Sequence, residues 1–453
     1  MQNNWRKVPL KDYCIKIGSG ATPRGGSSVY KDSGEICLIR SQNIYNEGFK
    51  HDGLVYIDEK AGEKLNNVVL EPLDILLNIT GDSVARVCLV DINVLPARVN
   101  QHVAIIRPKP SEFDARFLRY YLASPYAQKL LLNLASAGAT RNALTKSMIE
   151  GFEVPQPKLE IQTYIADHLE TLDNKIQLNQ QTNQTLEQMA QALFKSWFVD
   201  FDPVVDNALA AGNPIPEELA YRVEVRKKAK ALPDFQPLPE HIRNLFPNEF
   251  EQTSEPNVGI DGWVPKGWAL GVLSDLMVLQ RGFDLPKHSR TDGEFPLMAA
   301  SGQDGTHNQS KVAGPGVVTG RSGKLGVTTF VDEDFWPLNT TLWIKEYKAS
   351  NPYHAFFFLQ SLPLEEFNSG SAVPTLNRNH VHNYTCYIPS INVAEAFKEI
   401  VSKYFNKVSK NSKQNTTLMH IRDCLLPNLI SGEIRLNSAG KSGIDQKAEL
   451  QGV

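Results

Sequence analysis

Cysteine is scarce in this sequence. The five residues Cys14, Cys37, Cys88, Cys386 and Cys424 are scattered and never form a C-x-x-C pair. An odd, dispersed set offers neither a disulfide framework nor zinc-ligand spacing, and it points to a reducing compartment, the cytoplasm. Long apolar runs are missing too. No stretch approaches the roughly 18 residues of a membrane-spanning helix, and residues 1–10 lack the apolar core of a signal peptide. Neither sign of charge dominates: 47 basic and 50 acidic residues leave a net charge of −3, so composition alone does not suggest a nucleic-acid binder. A hydrophobic share of 42% excludes a disordered chain, and 453 residues are too many for one core.

Catalytic signatures are absent as well. Gly320-Arg321-Ser322-Gly323-Lys324-Leu325 has the wrong spacing for a phosphate-binding loop and no hydroxyl after its lysine. Ser350-Asn351-Pro352-Tyr353 resembles a base-flipping methyltransferase motif but lacks the second proline and opens a helix, so Asn351 reads as a helix cap. Asp52 with Asp58-Glu59-Lys60 reads as an exposed turn rather than a metal nuclease site.

What the sequence does hold is an internal repeat. Trp5-x4-Leu10-x-Asp12 with Pro23 returns as Trp268-x4-Leu273-x-Asp275 with Pro286. Each half closes a strand on a proline, Pro155 and Pro389, and then enters a long helical pattern. In the first, Ile165, Leu169, Leu172, Ile176, Asn179, Asn183 and Leu186 follow one another mostly in alternating steps of four and three. Phe397, Val401, Tyr404, Val408, Asn411, Asn415 and Leu418 repeat the series with a constant offset of 232. An apolar seam of period 3.5 with a shared asparagine layer reads as a coiled coil. Residues 157–202 carry −4 and 390–436 carry +3, which favours pairing of the two helices with each other. Antiparallel pairing would set Asn179 near Asn415 and Asn183 near Asn411.

The fold class expected is therefore α/β (α+β), with two pseudo-repeated domains joined by two long antiparallel coiled-coil helices. The divisions are 1–156, a first globular domain; 157–202, a helix; 203–262, a proline-rich surface linker; 263–389, a second globular domain; 390–436, a second helix; and 437–453, a disordered tail. Strands are expected at 36–39, 75–79, 86–90 and 103–106, with counterparts at 317–319, 327–331 and 342–344. Helices are expected at 113–134 and 352–367. Within 203–262 a short helix at 217–231 carries Arg226-Lys227-Lys228, read as a solvated face.

Two phrases carry a family resemblance. One is Ala192-Leu193-Phe194-Lys195-Ser196-Trp197-Phe198-Val199-Asp200-Phe201-Asp202-Pro203; the other is Leu425-Leu426-Pro427-Asn428-Leu429-Ile430-Ser431-Gly432-Glu433-Ile434. With Leu245-Phe246-Pro247 and Trp263-Val264-Pro265-Lys266-Gly267-Trp268, the chain resembles the DNA-specificity (HsdS) subunits of type I restriction–modification systems. The resemblance implies a non-catalytic protein whose globular halves are target-recognition domains for a bipartite, asymmetric sequence in double-stranded DNA. It implies helices that act as a spacer and dock two methyltransferase (modification) subunits, with restriction subunits recruited to the complex. S-adenosylmethionine, ATP and Mg would belong to those partners, with no cofactor or metal on this chain and no membrane involved.

The polar, glycine-rich loops supply the DNA-binding candidates: Arg24, Arg40, Gln42, Asn43, Arg86, Arg141 and Asn142 in the first half. In the second they are Arg281, Lys287, Arg321, Lys324, Asn377, Arg378 and Asn379. Arg and Lys suit phosphates and guanine edges, and Asn and Gln bracket adenine. Phe194, Trp197, Leu426 and Leu429 are expected to dock subunits. The rival readings are a coiled-coil protein scaffold without DNA readout and, third, a fused enzyme.

Overall fold

A computed structural model describes residues 5–136, 142–370 and 373–432. It divides into two compact units: residues 1–178 with 414–453, and residues 179–413. The boundary falls inside both long helices, Leu159–Phe194 and Ile391–Ser431. The expected tail, 437–453, and the end of the second helical division lie outside the described residues.

The repeat read from the sequence is a repeat of topology. In the first unit, Cys14–Ser19, Val103–Pro108, Ile75–Asn78 and Val87–Leu89 form a four-stranded antiparallel sheet in that spatial order. In the second, Met277–Arg281, Thr341–Tyr347, Gly316–Gly320 and Thr328–Val331 do the same. A three-stranded sheet accompanies each. Ile36–Ile39 lies between antiparallel Val55–Ile57 and parallel Ala97–Val99, and Phe295–Ala299 lies between antiparallel Gly302–His307 and parallel Trp336–Pro337. The central strands are apolar on both faces: Ile75, Leu76, Leu77, Val103 and Ile105 are wholly buried. That is how continuous apolar runs read once both sides of a sheet are covered.

The expected helix at 113–134 is two, Ala115–Ala123 and Pro125–Ser136, because Pro125 starts the second where the first ends at Ser124. Asn351 caps Pro352–Ser361 by accepting from the His354 N–H at 3.1 Å, as its sequence context indicates.

The long helices turn their seams inward. Ile165, Leu169, Ile176, Asn179, Phe397, Val401, Asn411 and Asn415 are buried, and Leu172, Asn183, Leu186, Tyr404, Val408 and Leu418 are half-buried. In the first unit, Arg422 meets Asp173 at 2.9 Å and the Asn415 amide donates to the Ile176 carbonyl at 3.4 Å. Asp173 also accepts from Tyr120 at 2.7 Å and pairs with Arg119, so one carboxylate ties both long helices to the first unit's globular body. In the second unit, Asn411 donates to Asn183 at 2.8 Å.

The segment 203–262 corrects the sequence reading: it is folded, not a surface linker. Helix Asp202–Ala211 begins with Pro203 in its first turn and ends on Gly212 at φ +71, the left-handed cap that glycine supplies without a Cβ penalty. Its apolar face buries Val204, Val205 and Ala208. Its acidic face meets helix Ala220–Lys230, where Arg222 binds Asp202 at 2.6 Å and Arg226 binds Asp206 at 2.5 Å. The Arg226 side chain is thus spent on an internal pair. The prolines start helices and turns here; Pro216 and Pro239 both stand at helix N-caps.

The Asn183–Asn411 pair gives a direct test. Asn411→Leu alone removes the donor to the Asn183 side-chain oxygen Oδ1 and should lower the melting temperature, by about 1–3 kcal/mol in stability. Adding Asn183→Leu should restore or exceed the parent value. A double variant no more stable than the single one would contradict a buried polar layer.

Candidate nucleic-acid interface

The first unit gathers its candidates around residues 40–54 and 78–87. Arg40 and Gln42 both donate to the Gly53 carbonyl, at 2.5 and 3.1 Å, and the Arg40 guanidinium lies 5.4 Å from the Tyr30 ring. Asn78, wholly buried, donates to the Ser41 carbonyl at 2.9 Å and thereby brings the two segments together. Arg86 lies over the Tyr45 ring at 4.6 Å. Asn43 departs from the expectation. It is fully buried, with its amide spent on the Lys50 and Asp52 carbonyls, so it shapes the loop and has no surface for a base. Arg24 is exposed in the turn ahead of Gly25 and Gly26, whose φ values of +101 and +57 need glycine. Asn142 is exposed and adjoins this group, since Ala143 bridges Thr80 and the Leu144 N–H donates to the Ile79 carbonyl at 2.9 Å; Arg141 lies outside the described residues.

The second unit forms a cleft of about 420 Å³. Arg281, Arg321, Asn377, Arg378 and Asn379 line it with Ser369 and Thr375. Three stretches of sequence, about 40 and 56 residues apart, thus converge on one concave surface. The convergence has a backbone cause: Leu376 N–H donates to the Arg321 carbonyl at 2.8 Å, and Gly323 N–H to the Pro374 carbonyl at 3.0 Å. Gly320 permits the turn, since a Cβ there would sit 1.9 Å from the Lys324 carbonyl oxygen. Arg281 stands 3.5 Å from Asp284. His382, just beyond, has its pKa lowered, first by burial and then by the charges of Arg378 and Lys348. Lys324 lines a separate hollow with Glu365 and Glu366, and Lys287 lies on the exposed turn Lys287–Ser289, so neither belongs to the cleft.

A family model described as the type I restriction modification DNA specificity domain matches residues 2–188. Full-length similarity extends this. The chain is 26% identical to the type I restriction enzyme HindI specificity subunit of Haemophilus influenzae, over 95% of this chain and 100% of that one. It is 25% identical to the MjaIX specificity subunit of Methanocaldococcus jannaschii, over 95% of each. The chain is thus similar, over nearly its whole length, to specificity subunits of type I restriction enzymes. The solved S subunit from M. genitalium shares the fold, with a TM-score of 0.59 at 16% identity, over 95% of this chain and 97% of that one.

The matched domain is described as a DNA specificity domain, and both relatives are named as specificity subunits of type I restriction enzymes. Among the described residues no helix is long and apolar enough to cross a membrane, and no cluster of His, Cys, Asp and Glu has the makings of a metal site.

The expected docking residues are corrected by burial. Phe194 and Trp197 are 4% and 1% exposed, inside the second unit's core, and Leu426 and Leu429 are 6% and 1% exposed, inside the first unit's core. The phrase 192–203 is rich in aromatic residues because it packs into the second unit's core. Past Phe194 the helix widens into a π-helical turn, Lys195–Val199, that aims Trp197 and Phe198 inward. Lys195 holds Asp200 at 2.5 Å, and Phe201, at φ +53, turns the chain under Trp268 and Tyr387. Tyr45 and Lys50, missed in the sequence because no motif announced them, lie beside the candidate Arg86 in the first unit.

Trp197→Ala should therefore destabilise the isolated chain by about 3–5 kcal/mol, read by denaturant unfolding. An unaltered midpoint combined with lost partner binding would instead restore Trp197 to a docking role.

Proposed function

We propose that each unit reads one part of a bipartite, asymmetric double-stranded DNA target, and that the two long helices pair as an antiparallel coiled coil setting the gap. The observation that carries the reading is the duplicated strand order, with a separate polar loop set on each copy. The Asp173–Arg422 and Ile176–Asn415 contacts support antiparallel pairing in the first unit, since one number rises as the other falls. Asn183–Asn411 fits the same register in the second. A pure protein scaffold would have no use for three arginines and two asparagines converging on one cleft. Arginine forks and asparagine amides match guanine and adenine edges, with phosphates held by the remaining cations.

The assembly that acts on DNA would contain two modification subunits carrying S-adenosylmethionine, and restriction subunits using ATP and Mg. With Phe194, Trp197, Leu426 and Leu429 buried, those partners would bind on the outward faces of the helices rather than at these side chains.

Methylation mapping in a host with the complete system tests the reading. Exchanging residues 1–156 for those of a relative should change one segment of the target and leave the other. Arg321→Gln or Arg378→Gln should weaken binding by about 1–3 kcal/mol and relax only the segment read by the second domain. A contiguous motif, or a chimera that altered both segments, would overturn it.

A further inference from the structure

The two units differ where their strands otherwise match. In the second, Phe295–Ala299 passes to Gly302–His307 through residues 300–301 alone. In the first, Ile36–Ile39 reaches Val55–Ile57 only after residues 40–54, which include the paired strands Ile44–Tyr45 and Gly48–Phe49. This hairpin is held in place. The Val87 N–H donates to the Asn46 side-chain oxygen at 2.9 Å, and the Lys50 N–H to the Asn43 carbonyl at 2.8 Å. The buried Asn43 amide returns a bond to the Lys50 carbonyl at 3.0 Å.

At its centre is Tyr45. The Lys50 ammonium lies 4.1 Å from the ring centroid and the Arg86 guanidinium 4.6 Å from it. Two cations share one aromatic ring, and among the described residues neither forms an ion pair with a carboxylate; Asp91 is taken by His51 at 2.9 Å. A ring attracts cations through its quadrupole without cancelling their charge. A carboxylate in its place would have neutralised the pair. Both distances to the one centroid keep the two like charges within about 9 Å of each other, where they repel, and an anion brought from outside relieves the repulsion.

We propose that Tyr45, Lys50 and Arg86 form a phosphate clamp, in which the ring presets two cations for the DNA backbone at the first domain's part of the target. Tyr45 acts as a positioning residue, and Lys50 and Arg86 make the contacts. The clamp positions the duplex without reading bases, and the second domain has no equivalent insertion between its matching strands. This inference rests on the DNA-reading function proposed above.

The test uses the full chain assembled with its modification subunits and a fluorescent random-sequence 30-base-pair duplex, titrated across a series of NaCl concentrations. Each phosphate contact contributes about 0.9 to the slope of log K against log salt. Lys50→Gln/Arg86→Gln should flatten that slope by about two, and Tyr45→Leu should flatten it partially. Tyr45→Phe, which keeps the ring, should retain the parent slope. Lys228→Gln, an exposed control in the second unit, should do the same. All variants should melt as the parent does, and the Phe variant separates loss of the ring from loss of folding. A parent slope in the double variant would overturn the clamp while leaving DNA binding intact. So would a loss confined to particular sequences with the slope unchanged, which would make Arg86 a base reader. Absence of duplex binding by the parent complex would sink the DNA-reading function itself, and the clamp with it.

Discussion

An aromatic cluster locks the end of the first long helix into the second unit. The Phe198 ring lies 4.5 Å from His354, 5.3 Å from Phe397 and 6.1 Å from Trp268, and Phe194 and Trp197 close around it. Aromatic side chains bury large areas and prefer these offset and edge contacts, so the helix cannot turn about its axis without expelling three of them. His354 is enclosed in the same cluster, and burial pushes its pKa down to about 3, so it stays neutral as part of the packing. In the first unit Leu426, Leu429 and Ile430 play the corresponding part beside Leu169 and Phe117. Each long helix is thereby welded to a globular body at its end, and the polar loops inherit that rigidity.

Charge is organised by the same constraint. The whole chain is close to neutral, yet several of its acids are held by internal partners. Asp173 binds Arg119, Tyr120 and Arg422; Asp202 and Asp206 bind Arg222 and Arg226; Asp74 binds Arg107 at 2.7 Å. Arg40, Lys50 and Arg86 on one unit and Arg321 and Arg378 on the other form no ion pair with a carboxylate among the described residues, and they stand on loops or, for Arg378, at a helix start. A net charge of −3 therefore hides local positive surfaces that arise only when the chain folds.

Much of this was legible beforehand, for physical reasons. A helical seam of period 3.5 and runs of Ile, Leu and Val persist whatever the loops do, so the seam from Ile165 to Leu186 and the strands around Ile75 and Val103 could be read directly. The cleft residues could be nominated because glycine-rich loops with Arg and Asn are few, although their convergence depends on pairing between residues 321 and 376. Other features were hidden. Phe194, Trp197, Leu426 and Leu429 look alike in sequence whether they face a partner or a core. The prolines of 203–262 suggested a broken linker, whereas proline is compatible with helix starts, and the pairs Asp202–Arg222 and Asp206–Arg226 lie too far apart in sequence to be noticed. The hairpin at Tyr45 is too short to produce a strand signal.

The central claim is that two recognition bodies read DNA separately and the paired helices set the distance between the parts. Deleting one heptad from each helix, chosen to preserve the seam and the Asn183–Asn411 layer, shortens the pair by about 10 Å at 1.5 Å per residue. Methylome sequencing of a host carrying this variant and its partner subunits should return both specified segments unchanged, with the gap reduced by about three base pairs at roughly 3.4 Å each. An unchanged gap, or altered specified bases at the original spacing, would contradict the account.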